Sequence, residues 1–469
     1  MKILPKECKI LPPEELDRFS VELRTFYEKK LKPKKFLLFF CLCLLALAAP
    51  GRAEDQKTDY YAPLYEKPLA KTPLKDALSR AIEWPFKLAK WPIDQSLVMT
   101  ENYRLDKKTV WIYDRIMDYG VKPRLDSLGF SGIPSYGAEF DLVRIIRQKE
   151  NYPDFIAKGW INHGPTNYFQ AGGELGAQRI GETGFHTSSI IEYENRRNET
   201  FYGLGTDSSR GDSTSFIEEK TTVGAKAGYE FSSSLDLTSQ VDYSHVNIKN
   251  RAHEGKGDIT QIFAGENIPG LHGDDFLDFS IRLDRDTRDS KEDATKGSYQ
   301  KLLFKYTEGV ESSPARYFTY QLDAAKYFQL ASPRRILAAR LFGEFNQRVN
   351  GGNVPFYEMT KLGGSGMFPR QSQTSRAFVY NRFFGESALL LNLEYRYTVW
   401  QYKEFKLKTV VFLDEGQVSK DFATFRLNGF RESYGAGLHL SHSQLVLLSF
   451  NVAHGNEGTQ FYLENKLAF

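Results

Sequence analysis

Apolar and polar residues alternate, position by position, along most of this chain. In residues 235–243, Leu235, Leu237, Val241 and Tyr243 share one face of an extended backbone, and Asp236, Thr238, Gln240 and Asp242 the other. Leu277, Phe279, Ile281 and Leu283 likewise oppose Asp278, Ser280, Arg282 and Asp284. Leu389, Leu391, Leu393, Tyr395 and Tyr397 oppose Asn392, Glu394 and Arg396, and Phe405, Leu407, Val411 and Leu413 oppose Lys406, Lys408 and Asp414. A period of two is that of a strand with one apolar and one polar face. Comparable segments span 135–145, 154–162, 168–178, 188–196, 218–231, 297–307, 318–328, 336–346, 354–362, 433–440 and 446–453. The chain closes on 460–469, with Phe461, Leu463, Leu467 and Phe469 on one side and Tyr462, Glu464, Lys466 and Ala468 on the other. That pattern predicts 16 strands across residues 135–469.

Spacing separates the possible all-β architectures. Strand plus connection averages about 20 residues, whereas sandwich strands recur every ~8–12. Transmembrane strands need about 9–11 residues plus loops, and bacterial single-chain barrels use an even number. The expectation is an all-β, 16-stranded antiparallel transmembrane barrel, with a soluble all-β protein as the alternative.

Residues 54–134 lack this alternation. Thr72 and Pro73 suit the start of a helix over 74–84 that stops at Pro85, and 106–119 suits a second ending at Gly120. A short periplasmic helical segment is therefore expected before the barrel. Upstream, Lys29, Lys30, Lys32, Lys34 and Lys35 precede an unbroken apolar run from Phe36 to Ala49, then small residues at Gly51 and Ala53. This is the pattern of a secretory signal cleaved after Ala53, and the long polar stretch before Lys29 suggests that the true translation start lies downstream of Met1. The run is shorter than the roughly 20 residues a membrane-spanning helix needs.

Composition narrows the function classes. Cys8, Cys41 and Cys43 all precede the expected cleavage point, so the mature chain offers no disulfide, thiolate metal site or cysteine nucleophile. Residues 1–53 carry 11 Lys/Arg against 6 Asp/Glu, an excess of five, which leaves −2 of the formal +3 on the remainder. No basic surplus points to nucleic acid. A mean hydropathy of −0.46 with 14% aromatic residues suits a barrel, because strands give half their residues to lipid. Eight scattered histidines form no H-E-x-x-H, and neither Ser131-Gly132 nor Gly184-Phe185-His186 resembles a triad. Asp284, Asp286 and Asp289 with Arg285 and Arg288 read either as hard oxygen donors or as a mutually paired turn, the second being expected. No enzyme activity, metal or cofactor is expected.

Several short motifs occur in one order. They are Phe201-Tyr202-Gly203-Leu204-Gly205; Asp286-Thr287-Arg288-Asp289 leading to Lys296-Gly297; Leu362-Gly363-Gly364; Asn392-Leu393-Glu394-Tyr395-Arg396; Phe412-Leu413-Asp414-Glu415-Gly416; Tyr434-Gly435-Ala436-Gly437; and a final Phe469. Together they resemble the bacterial surface-antigen family, the barrel domain of the outer-membrane assembly and secretion translocases. The resemblance implies a bacterial outer-membrane location and a sixth outer loop folded back into the lumen. It also implies that an arginine at that loop's tip bonds the aspartate of Phe-x-Asp-x-Gly.

One departure concerns that arginine. The usual Arg-Gly pair is missing, and the loop reads Ser365-Gly366-Met367-Phe368-Pro369-Arg370. Asp414 lies on the lumen parity of its strand, where an unpaired buried charge is costly. Arg370 is the expected partner, with Arg376 or Arg382 as substitutes, and a solvated Asp414 as the alternative. Phe412, Glu394, Arg396 and Gly416 complete the expected loop–wall site. Phe461, Leu463, Leu467 and Phe469 form the expected C-terminal assembly signal. The segment before the barrel leaves no room for the POTRA repeats that accompany insertion and secretion in this superfamily. Two functions are carried forward. One is a barrel that inserts or translocates protein through a weak seam between strands 135–145 and 460–469. The other is a passive channel or scaffold. The partners expected are outer-membrane lipid, the barrel-assembly machinery through the last strand, and an unfolded client chain.

Overall fold

A computed structural model describes residues 119–125, 136–143, 155–164, 168–251, 257–330, 332–365, 373–402, 404–421, 424–426, 429–464 and 467–469. The expected signal, the helix over 74–84, residues 106–118 and Arg370 lie outside them. The alternating segments form one antiparallel sheet. It begins with β1 (Val121–Leu125), β2 (Tyr136–Asp141), β3 (Phe155–Gly164), β4 (Tyr168–Ala177), β5 (Phe185–Phe201), β6 (Thr214–Ser232), β7 (Leu235–Arg251) and β8 (Gly273–Asp286). It continues with β9 (Gly297–Gly309), β10 (Arg316–Gln329) and β11 (Arg335–Arg348). Two short strands, β12 (Thr360–Leu362) and β13 (Phe383–Gly385), pair with each other apart from the main sheet. The main sheet resumes with β14 (Ser387–Tyr402), β15 (Phe405–Ser419), β16 (Arg431–His442), β17 (Leu445–Gly455) and β18 (Gly458–Glu464). Its order follows the chain, 16 strands from β1 to β18.

The number of wall strands matches the expectation, but two members change. β1 lies in the stretch read as helical, so the wall begins at Val121 rather than at 135. Five residues, V-K-P-R-L, are too few to display a period of two, and Pro123 is tolerated because β1 is an edge strand. Residues 354–362 are not wall. Val354, Phe356, Tyr357, Met359 and Leu362 are all buried, because this segment is surrounded by protein on every side.

Burial in the wall is inverted relative to a soluble protein. Val223, Val241, Phe279, Ile281, Leu302 and Val411 are exposed, while Lys220, Asp242, Asp278, Arg340, Asn392 and Asp414 are buried. An apolar exterior around a charged interior is the arrangement a barrel adopts in lipid. Contacts between connections and distant strands show the sheet rolled round its contents: Asn381 Nδ2 donates to Glu199 Oε2 of β5 at 2.6 Å, and Thr206 Oγ1 to the Val418 carbonyl of β15 at 2.6 Å. The longest connection (349–386) sits at one end together with 202–213, and the two-residue connections 233–234 and 443–444 sit at the other. The short end is taken as periplasmic and the long end as outward.

Candidate functional site: the lumen loop and its seat

The described residues of the β11–β14 connection, 349–365 and 373–386, leave the outer end of β11, line the lumen and return to β14. The turn into the lumen needs Gly363: its φ is +127°, and a Cβ there would lie 2.3 Å from the Val379 carbonyl oxygen. Gly416 on β15 makes room from the wall side, since a Cβ would press at 3.0 Å on the Leu362 side chain of the loop. Gly364 follows Gly363 and is spanned by the bond from its N–H to the Phe378 carbonyl at 2.9 Å. An apolar layer of Leu362, Ala377, Phe378 and Phe383 packs against Leu390, Val410, Phe412 and Val418 of the wall.

The charged centre lies against that layer. Arg376 donates from Nε to Asp414 Oδ2 at 2.9 Å and from Nη2 to Oδ1 at 2.6 Å, and its backbone N–H reaches Oδ2 at 3.1 Å. Its Nη1 bonds Glu394, whose other oxygen accepts from Arg396 Nε at 2.8 Å. Arg376, Asp414, Glu394 and Arg396 are all fully buried. Two cations and two anions cancel, which is the condition for holding charges away from water. Asn392 Nδ2 donates to Asp414 Oδ1 at 2.8 Å and to the Thr374 carbonyl at 3.0 Å, and Ser433 Oγ accepts from the Ala377 N–H at 2.7 Å. The Arg376 guanidinium lies 3.5 Å from the Phe412 ring centroid, a cation–π contact that uses the phenylalanine of the motif.

Arg376, one of the two substitutes, therefore stands where the sequence pointed first to Arg370. The other substitute, Arg382, serves the outer end. It pairs with Glu457 in the β17–β18 turn, donates from Nη1 to Ser208 Oγ at 2.9 Å, and covers Phe383 at 4.5 Å. Gly203 and Gly205 are brought to this end, where the Gly205 N–H donates to the Phe384 carbonyl at 2.7 Å.

Arg288 and Asp289 lie at the opposite end, in the β8–β9 connection. Arg288 grips Asp286 (Nε to Oδ1 3.0 Å, Nη2 to Oδ2 2.8 Å), and Asp289 Oδ1 accepts from the Thr295 N–H at 2.9 Å. The carboxylates of Asp286 and Asp289 are spent on the turn itself.

The four residues of the expected C-terminal signal divide. Phe461 is exposed on the outer face, Leu463 is half-buried, and Tyr462 between them donates to the Phe378 carbonyl at 2.9 Å. Phe469 does not continue outward. Its ring centroid lies 6.3 Å from that of Tyr327 and 5.5 Å from the Arg396 guanidinium, and its carbonyl accepts from Arg396 Nη2 at 3.3 Å. Leu467 beside it is half-buried, and the Ala468 carbonyl accepts from Thr374 Oγ1 at 3.0 Å. The buried charges of the wall offer this tail better partners than lipid does. Alternation alone could not show that the chain turns inward after β18.

The sequence singled out none of Thr374, Ser433, Glu457, Asp293 or Lys408 as site residues. Lys408 and Ser433 do lie on lumen parity. Asp293 lies in a turn, where parity says nothing. Lys408 Nζ donates to both carboxylate oxygens of Asp293. Burial pushes the Asp293 carboxyl up, but the Lys408 ammonium outweighs it and holds the group below the usual carboxylate range.

Fold and site together define an outer-membrane β-barrel whose lumen is occupied by its own loop, locked by an arginine on an aspartate of the wall. The Omp85 superfamily domain matches residues 164–464, and the chain belongs to that superfamily, in the bacterial outer membrane. A curated relative, the outer membrane protein assembly factor BamA of Nitratidesulfovibrio vulgaris, is 28% identical over 162 residues. That match covers 32% of this chain and 18% of the relative, so the likeness spans less than a fifth of the relative's length. The crystal structure of BamA from Haemophilus ducreyi lacking POTRA domains 1-3 is similar in fold, with TM-score 0.53 at 15% identity over 76% of this chain and 77% of that one. CdiB from Escherichia coli gives 0.46 at 11% identity over 73% and 61%.

Proposed function

We propose that this barrel inserts or translocates polypeptide at the outer membrane by offering a strand edge between β1 and β18. The observation that carries this reading is the inequality of the sheet. Among the described residues, the wall strands from β3 to β17 are 10–19 residues long, whereas β1 has 5 and β18 has 7. Among the described residues, β1 pairs only with β2, and β18 only with β17. A strand bonded on one side presents a template for another chain. The wall next to β1 is also poor in side chains, with Gly137, Gly159, Gly164, Gly172, Gly173 and Gly176 on β2 to β4. Glycine-rich strands fix their register weakly. The client would be an unfolded chain, and the last strand would be this protein's own address to the barrel-assembly machinery. No catalytic step is assigned to it.

A passive channel is the competing reading, and the packed loop disfavours it because fully buried groups occupy the lumen. Amide exchange on protein refolded in lipid vesicles separates the two. Fast exchange confined to β1 and β18 is expected. Protection there equal to that of β9 to β15 would mean a closed wall, and the polypeptide-handling role would be abandoned.

A further inference from the structure

The β8–β9 connection, residues 287–296, is built as a rigid object. Arg288 Nη1 donates to the Lys291 carbonyl at 3.1 Å, and Ser290 Oγ accepts from the Asp293 N–H at 3.0 Å. Asp289 Oδ1 accepts from the Lys296 N–H at 3.2 Å as well as from Thr295. A hairpin connection needing only to reverse the chain would be solvated and would not bury charge. Here Asp293 and Ala294 are 5% and 2% exposed.

Their partners show where the connection lies. Lys408 is on β15, four strand steps from β9 in the sheet order. At ~4.8 Å per step that is roughly 19 Å along the wall, a distance the turn itself covers by folding inward over β10, β11 and β14 until Asp293 meets Lys408. Ala294 packs with Ala325 and Tyr327 of β10 and Ala338 of β11, with Phe469 against the same cluster. Gln329 Nε2 donates to Thr295 Oγ1 at 2.9 Å. Inside the wall, between β6 to β11 and the lumen loop, is a polar cavity of about 420 Å³ bordered by Ser280, Gln321 and Lys305.

We propose that residues 287–296 fold inward as a plug at the periplasmic mouth of the lumen, latched to β15 by Asp293 on Lys408. The plug is distinct from the lumen loop, which enters from the outer end, and it holds whether or not the strand edge handles polypeptide. Removing Asp293 strands the Lys408 ammonium without its anion. The ammonium then turns to water and the plug loses its anchor.

The test uses the full chain with Cys8, Cys41 and Cys43 replaced by serine, and Ser280→Cys as the sole thiol, folded in detergent micelles. The readout is its rate of reaction with a bulky, water-soluble maleimide at one fixed pH. Only the fraction that keeps the folded gel mobility is scored. The latched protein should react slowly, and D293A and K408M at least ~10-fold faster, since each leaves one buried charge unpaired. The swap D293K/K408D should return the rate towards the slow value. Where D293A gives no folded protein, D293N, which keeps the size and removes the charge, supplies the comparison. Equal rates in all variants, or acceleration by R382A at the outer end alone, would overturn the plug.

Discussion

Arg376 and Asp414, 38 positions apart, meet as a two-pronged ion pair with no exposed surface on either side chain. The pair decides whether the lumen loop is part of the fold. Arg376→Ala leaves Asp414 and half of Glu394 unpaired, a loss of about 3–5 kcal/mol. Arg376→Lys keeps the charge but cannot supply the fork, so it should fall between. The midpoint of urea unfolding in vesicles and protease cleavage within 349–386 measure both effects. Wild-type behaviour of Arg376→Ala would show that the loop is seated by its apolar layer alone.

Gly363 and Gly416 should respond differently to alanine. At Gly363 the added Cβ meets backbone at 2.3 Å in a positive-φ conformation, and nothing nearby can yield. At Gly416 it meets the ends of Leu362 and Leu390 at 3.0 and 3.1 Å, which can rotate. G363A should therefore unseat the loop, with cleavage in 349–386 at the Arg376→Ala level, while G416A costs about 1–3 kcal/mol of overpacking. A harmless G363A would mean that the loop enters the lumen by another path.

Much of this was legible in the sequence because lipid and lumen impose a strict period of two. Leu389 to Tyr397 could be assigned to faces from letters alone, and Asp414 could be placed inside and short of a cation. What the letters could not give were partners fixed by the rolling of the sheet. Which arginine reaches Asp414 depends on where the loop turns at Gly363. That Phe469 points inward depends on Arg396 and Tyr327, contributed by β14 and β10. Residues 354–362 imitated a wall strand because a loop buried on all sides is as apolar as one.

The plug should be indifferent to pH near neutrality. The folded pKa of Asp293 is depressed, so its stabilisation is complete above the unfolded value of ~3.9 and is lost as pH falls through the lower folded value. The groups that face it are Lys408 of β15, Arg396 of β14 and Ser441 of β16, none of which opposes that sign. Amide protection at Asp293 and Thr295, corrected for intrinsic exchange, should stay level from about pH 8 to pH 5 and collapse only below about pH 3.9. A drop between pH 5 and 8 would mean that another group holds the turn.

Arg382 links the outer mouth to the closing strand, and its removal should act at a distance. The guanidinium ties Glu457, in the turn that starts β18, to Ser208 in the β5–β6 loop. β18 is otherwise held on its lumen side by Tyr462 on Phe378 and by Glu464 on Ser365. Arg382→Ala therefore frees the outer end of β18 while the inner anchors remain. Amide exchange should quicken by about tenfold, equivalent to 1.4 kcal/mol of lost local stability, at Gly458 to Gln460 but not at Tyr462 to Glu464. Arg382→Gln, which keeps a donor to Ser208 but loses the charge facing Glu457, should give a smaller change at the same residues. If exchange instead quickened along the whole of β18, the inner anchors would be subordinate to Arg382. The closing strand would then behave as one unit, opened from outside.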